Sequence, residues 1–373
     1  MTRQRVLLLA SMLLMTVLVM AIPAVAMASS SSYIGQFSHI RTISSTVPAN
    51  GDVNPYGMAV VQRTVGHLTR GNVLISNFNA SSNLQGTGTT IVQVAPNGTM
   101  SLFARINAST LSGSCPGGVG LTTALVVLQR GWVIVGSLPT SDGTSATAKA
   151  GCLIVLNSMG KAVETFSGGA INGPWDMTAF DQNAVASLFV TNVLNGTVAG
   201  NGNVVHQGTV VRIMLNVPEQ GNGLPSRVAT TVIGSGFSER TDPAALVIGP
   251  TGVGLSSNAT LYVADSVNNR IAAISNALNR TTTDHTGNNV TANGSLNDPL
   301  GLTIAPNGDI LTVNGNDGRI VETTPGGMQI AHKFLDTSGS PPGSGTLFGL
   351  VIVPGGKGVY FVDDGTNTLN ILK

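Results

Sequence analysis

Six times along this chain a short β-rich run stops at Asp, Asn or Gly, as a strand running into a turn does. The clearest copies are Leu261-Tyr262-Val263-Ala264-Asp265, Leu188-Phe189-Val190-Thr191-Asn192 and Ile310-Leu311-Thr312-Val313-Asn314. Val359 to Asp363 and Val73 to Asn77 fit as well, and Trp132 to Gly136 is a weaker sixth. A second element precedes each copy. Asn54-Pro55-Tyr56-Gly57-Met58, Gly173-Pro174-Trp175-Asp176-Met177, Asp242-Pro243-Ala244-Ala245-Leu246 and Asp298-Pro299-Leu300-Gly301-Leu302 share a proline ahead of an apolar run. Leu347-Phe348-Gly349-Leu350 lacks the proline, and Thr122 to Leu125 fits less closely. Proline suits the first residue of a strand, where no ladder donor is needed.

Third and fourth strands follow in most copies, joined by turns such as Pro96-Asn97-Gly98, Asn157 to Gly160 and Pro325-Gly326-Gly327. Six units of up to four strands, at spacings of roughly 50 to 70 residues, describe an all-β, six-bladed β-propeller with four-stranded blades. The last unit reaches Lys373 with Thr368 to Leu372 as its third strand. Its missing outer strand is expected from Phe37 to Ser44, near the mature N-terminus, which would close the ring and remove an open edge.

The run Leu261 to Ile271, which includes Asn268-Asn269-Arg270, resembles an NHL repeat, and Asp298 to Asp309 resembles the first half of one. The resemblance implies a six-bladed propeller. It implies no single activity, because NHL-like propellers include binding scaffolds, lyases and relatives of the gluconolactonase-like lactonases.

The N-terminus sets the compartment. Arg3 and Arg5, an apolar run from Val6 to Ile22, and Ala26-Met27-Ala28 form the three parts of a secretory signal, so residues 1–28 read as signal peptide and 29–373 as one propeller domain. An uncleaved N-terminal anchor is the competing reading, and only that reading brings a membrane into play. The expected location is secreted, extracellular or periplasmic. There Cys115 and Cys152 are a candidate disulfide, with two buried thiols as the alternative. Eight Asn-x-Ser/Thr sequons, at Asn79, Asn97, Asn107, Asn195, Asn258, Asn279, Asn289 and Asn293, read mainly as markers of surface loops. Only 9% of the residues are charged, against about 25% in an average soluble protein. Loss of Arg3 and Arg5 would leave 16 basic against 17 acidic residues. Such a surface offers nucleic acid no cluster of Lys and Arg.

Consecutive strands of a blade are antiparallel, so inner-strand starts and second-strand ends meet on one face of the disc. That face is expected to carry Tyr56, Trp175 and Asp176 from the starts, with Asn77, Asn192, Asp265, Asn314 and Asp363 from the ends. As a polar ring it is a candidate face for a small-molecule or protein ligand. As a repeated position it equally suits Asn and Asp accepting hydrogen bonds from the turn that follows. Asp176 is the exception, the one carboxylate at its inner position. For Trp175 the readings are a stacking platform and a core plug.

A gluconolactonase-like enzyme would need a divalent metal on oxygen ligands, including a carboxylate from the first blade. The first inner strand, Asn54 to Val61, has none, and the four glutamates, Glu164, Glu219, Glu239 and Glu322, lie outside the inner-strand motif. Asp176, Asn192 and Asp265 are the oxygen ligands a divalent cation such as Ca²⁺ would draw on. The histidines, His39, His67, His206, His285 and His332, have no ligand spacing, and no nucleophile elbow, P-loop or Cys-x-x-Cys occurs. The sequence therefore points to a binding scaffold, with a metal-dependent hydrolase or lyase as the alternative.

Overall fold

The computed structural model describes residues 31–373; the expected signal peptide lies outside them. Ser32–Lys373 form one compact unit. Blade I comprises β2 (Val53–Val60), β3 (Val73–Asn79), β4 (Thr90–Val94) and β5 (Met100–Arg105), after the N-terminal β1 (Ile40–Ser45). Blade II is β6 (Leu121–Val127), β7 (Val133–Ser137), β8 (Cys152–Leu156) and β9 (Ala162–Phe166). Blade III is β10 (Pro174–Asp181), β11 (Val185–Asn192), β12 (Val205–Asn216) and β13 (Ser226–Asp242), and β13 turns back as the short β14 (Leu246–Ile248). Blade IV is β15 (Pro250–Leu255), β16 (Leu261–Asp265), β17 (Arg270–Ile274) and β18 (Asn288–Ala292). Blade V is β19 (Pro299–Ile304), β20 (Ile310–Asn314), β21 (Arg319–Thr323) and β22 (Gln329–Phe334). Blade VI is β23 (Leu347–Ile352), β24 (Val359–Asp363) and β25 (Thr368–Leu372), completed by β1.

The ring closes as expected: β1 runs antiparallel to β25, from Ile40 opposite Leu372 to Ser45 opposite Thr368. Apolar faces of neighbouring blades supply the core. Leu74 and Ile91 of blade I pack with Leu125 and Val133 of blade II, and Ile134 and Val155 of blade II with Leu188 and Val211 of blade III. Cys115 and Cys152 are joined as a disulfide, tying the loop before blade II to its third strand. No helix among the described residues is long and apolar enough to cross a membrane.

One inner strand differs from expectation. Asp242 to Leu246 is the turn between β13 and β14, where the Asp242 carboxylate accepts the Ala244 and Ala245 N–H groups. The inner strand of blade IV starts instead at Pro250-Thr251-Gly252. Asp-Pro suits both a turn and a strand start. In blade IV the difference lies in packing: the residue two places after Pro250 is Gly252, pressed against the blade V backbone, whereas Ala245 follows Pro243 at that spacing.

That glycine belongs to a bulge repeated in every blade. The first two strands lose register between Pro55 and Met58, Pro174 and Met177, Pro250 and Val253, Pro299 and Leu302, and Leu347 and Leu350. In blade II the break spans one residue more, from Leu121 to Leu125. The second bulge residue is Gly57, Gly252, Gly301 or Gly349 in four blades. A Cβ at Gly252 would overlap the Leu300 carbonyl oxygen of blade V, and one at Gly301 the Phe348 carbonyl oxygen of blade VI. The inner strands converge here too closely for a side chain.

Candidate functional site

The first bulge residue of four blades, Tyr56, Trp175, Leu300 and Phe348, belongs to an apolar plug on the face expected for a ligand. Tyr56 lies between Phe78 and Phe348, with ring centroids 4.5 Å and 3.9 Å away and near-parallel planes. Trp175 is buried and its indole Nε1 donates to the Val247 carbonyl at 3.1 Å. Leu300 and the β14 segment, Ala245 to Ile248, complete the apolar cluster. Burial lifts the Tyr56 hydroxyl well above its ordinary pKa, and Asp364 and Asp242 add to the effect.

The ring residues near the second-strand ends each stand opposite the residue that precedes the bulge of their inner strand: Asn77 pairs with Pro55, Asn192 with Pro174, Asp265 with Pro250, Asn314 with Pro299 and Asp363 with Leu347. All five are buried. Asn77 donates to the Thr46 carbonyl, and Asn314 donates to the Ser295 carbonyl and the Asp317 carboxylate. Asn192 accepts the Asn172 N–H, and Asp363 accepts the Thr366 N–H. Asp265 is held by Asn268 and by Arg270, whose Nε lies 2.7 Å from its Oδ2. In these five blades the side chains fasten the loop entering the inner strand or the turn leaving the second one.

Asp176 is different. It occupies the bulge position that four blades give to glycine, and is the one carboxylate there. Its Oδ1 accepts the Met177 N–H at 2.8 Å, and its Oδ2 accepts the Val253 N–H of blade IV at 3.1 Å. The side chain thus bridges two inner strands where other blades meet backbone to backbone. Beside it Thr191 donates from its hydroxyl to the Thr251 carbonyl at 2.7 Å. Burial raises the carboxyl pKa to about 7, against the lowering effect of the two N–H donors.

Asp176 lies at the inner end of a cavity of about 510 Å³ that occupies the ring axis and is lined by residues of all six inner strands. Each of these strands is the end strand of its sheet, so its unpaired edge faces the axis. Met58, Leu125, Met177, Leu302 and Leu350 supply apolar wall, and Thr123, Thr178 and Thr303 supply hydroxyls. Towards the ends of the inner strands come Gln62, Gln129 and Asp181, and Gln129 N–H donates to the Asp181 carboxylate at 2.5 Å. The plug closes the face carrying Trp175, so the cavity is a funnel that opens on the opposite face. Sequence reasoning missed this mouth. Counting from the proline would have placed Asp181 at the far end of the strand that starts with Asp176.

Two further carboxyls near the plug are also raised to about 7: Asp298 by burial and then Asp242, and Asp364 by burial and then Asp363. No group of three or more His, Cys, Asp or Glu side chains among the described residues is arranged to share an ion. Asp176, Asn192 and Asp265 each use their oxygens on separate partners, so this donor set does not fit a common Ca²⁺.

No protein-family model matches the chain, and neither does any curated protein. Solved structures do. The luciferin-regenerating enzyme superposes with a TM-score of 0.56 and 10% identity over 90% of this chain and 95% of that one. Virginiamycin B lyase from Staphylococcus aureus gives 0.53 and 12% over 90% and 99%. A gluconolactonase from Xanthomonas campestris gives 0.52 and 13% over 90% and 88%. The chain is therefore similar in fold, at a distance, to the gluconolactonase-like six-bladed propellers.

Proposed function

We propose that this protein is an exported, NHL-like propeller that acts as a binding scaffold, taking a small molecule with an apolar body into the axial funnel and holding its hydrogen-bond-donating end on Asp176. The reading rests on one observation above all: a carboxylate stands at the inner end of a cavity of about 510 Å³, at a bulge position that four blades fill with glycine. A volume of that size suits a single small ligand. An ammonium or hydroxyl group donating to Asp176 favours its charged form, which burial otherwise disfavours. The disulfide between Cys115 and Cys152 fits an oxidising compartment.

The test is calorimetric titration of purified protein with straight-chain alkylamines. Wild type is expected to bind, and D176N to lose at least tenfold in affinity, the scale of one charge-assisted hydrogen bond. Equal binding by the two proteins refutes the assignment. A thermal midpoint that rises specifically with Ca²⁺, falls with EDTA and depends on Asp176 would favour a metal-dependent hydrolase or lyase instead.

A further inference from the structure

A second cavity, of about 440 Å³, adjoins the funnel and shares Val60, Gln62 and Val351 with it. It runs between the β2–β3 loop of blade I and the β23–β24 loop of blade VI, and Arg70 lines its outer part. Arg70 makes no ion pair with any described residue. The two bounding loops, residues 61–72 and 353–358, carry Arg63, Arg70 and Lys357 and no Asp or Glu. The funnel itself carries charge of the other sign, Asp176 at its inner end and Asp181 towards its mouth. These two are five residues apart on one strand, which at about 3.3 Å per residue makes the funnel about 16 Å deep.

Resting on the funnel reading above, we infer that the ligand is an elongated amphipathic molecule with opposite ends: an ammonium or hydroxyl head on Asp176, an apolar body along the funnel, and an anionic tail, such as a carboxylate, turned into the side groove at Arg70. The shape follows from two cavities joined at Gln62. The polarity follows from a buried acceptor at one end and, at the other, Arg70, a cation without an ion pair among the described residues. A ligand with the reverse polarity would bring an anion to Asp176 and a cation to Arg70, unfavourable at both ends.

The experiment titrates purified protein with ω-amino carboxylates of increasing chain length and with alkylamines of matched length. Because Arg70 is exposed, the added carboxylate is expected to tighten binding about threefold to fivefold, and less at high salt. This gain should appear only above the chain length that reaches the groove. R70A removes the gain, and R70E makes the amino carboxylate the weaker of the pair. If R70E binds both series as wild type does, the tail assignment is overturned. If alkylamines bind and D176N abolishes that binding, while the carboxylate gives no gain at any length, the funnel reading stands and only the tail assignment falls. If neither series binds, both fall.

Discussion

Replacing Glu322 with glutamine tests how the chain holds its own closure. Glu322 is fully buried on β21 and serves the segment just before β1. Its Oε1 accepts the Tyr33 N–H at 2.6 Å, and its Oε2 accepts the Ile34 N–H at 2.9 Å and the Ser32 hydroxyl at 2.6 Å. Tyr33, Ile34 and Phe37 then pack against Leu311, Ile320 and Leu335. Burial alone would raise the Glu322 carboxyl, but the donors of Ser32, Tyr33 and Ile34 together hold it below its ordinary range. Its neighbour Asp309 is pushed up to about 6, first by burial and then by Glu322 itself. One proton is therefore shared by the pair in mild acid.

Glutamine keeps one acceptor oxygen and turns an NH₂ group toward the other donors. One buried backbone N–H is then left unpaired, at a cost of about 1–3 kcal/mol, and the surviving hydrogen bonds lose the charge that strengthens them, about 1 kcal/mol each. The expected loss is about 3–5 kcal/mol. For roughly 340 residues the unfolding entropy is about 0.7 kcal/mol/K, so the thermal midpoint should fall by about 4–7 °C. The assay is circular dichroism melting at pH 5, with amide exchange read at Tyr33 and Ile34. A midpoint within about 1 °C of wild type, with unchanged protection of both amides, would refute the reasoning. D309N, whose side-chain NH₂ can still donate to Glu322, should melt near wild type in mild acid and show a shallower decline as pH rises.

Two further outcomes are expected. Asp176, Asp298 and Asp364 are raised to about 7 and Glu239 to about 8, in each case mainly by burial. Between about pH 4 and pH 8 the folded chain thus keeps protons that the unfolded chain has released, so stability falls as pH rises, each group contributing at most about 1.4 kcal/mol for every pH unit crossed in that window. Urea midpoints at pH 5 and pH 8 measure this, and a higher midpoint at pH 8 would contradict it. The disulfide joins residues 37 apart, so in the chain-entropy model it stabilises the fold by about 4 kcal/mol; the C115S/C152S double variant should melt about 5–6 °C lower.

The architecture was legible because it is repeated. Period-2 runs ending in Asp or Asn recur at the same register, and the copy that lacked a fourth strand identified the segment that supplies it, β1 beside β25. Blade IV was misplaced for a physical reason. β13 runs on for 17 residues and returns as β14, so an extra Asp-Pro turn falls where the next inner strand was due. Local chemistry at Asp242-Pro243 is that of a turn and of a strand start alike, and only the tertiary packing of the following residues distinguishes them.

The candidate site was legible at one residue and not in its direction. Trp175 and Asp176 are adjacent, and adjacency suggested one shared face. In a bulge, however, neighbouring side chains diverge: Trp175 goes to the plug against Val247, and Asp176 to the funnel against Val253. Whether an inner face is open depends on how far the long blade III hairpin reaches over the axis, a tertiary fact with no local signature. Asp176 is conspicuous for a reason that alignment of the blades does reveal. Where Gly57, Gly252, Gly301 and Gly349 let backbones touch, a carboxylate must have room and partners, and it gains both only because the Val253 N–H of the next blade turns toward it. Asparagine there could keep one of the two N–H contacts but would set an NH₂ against the other donor. The position thus favours a carboxyl group, whose two oxygens can take both N–H groups while the residue lines the funnel.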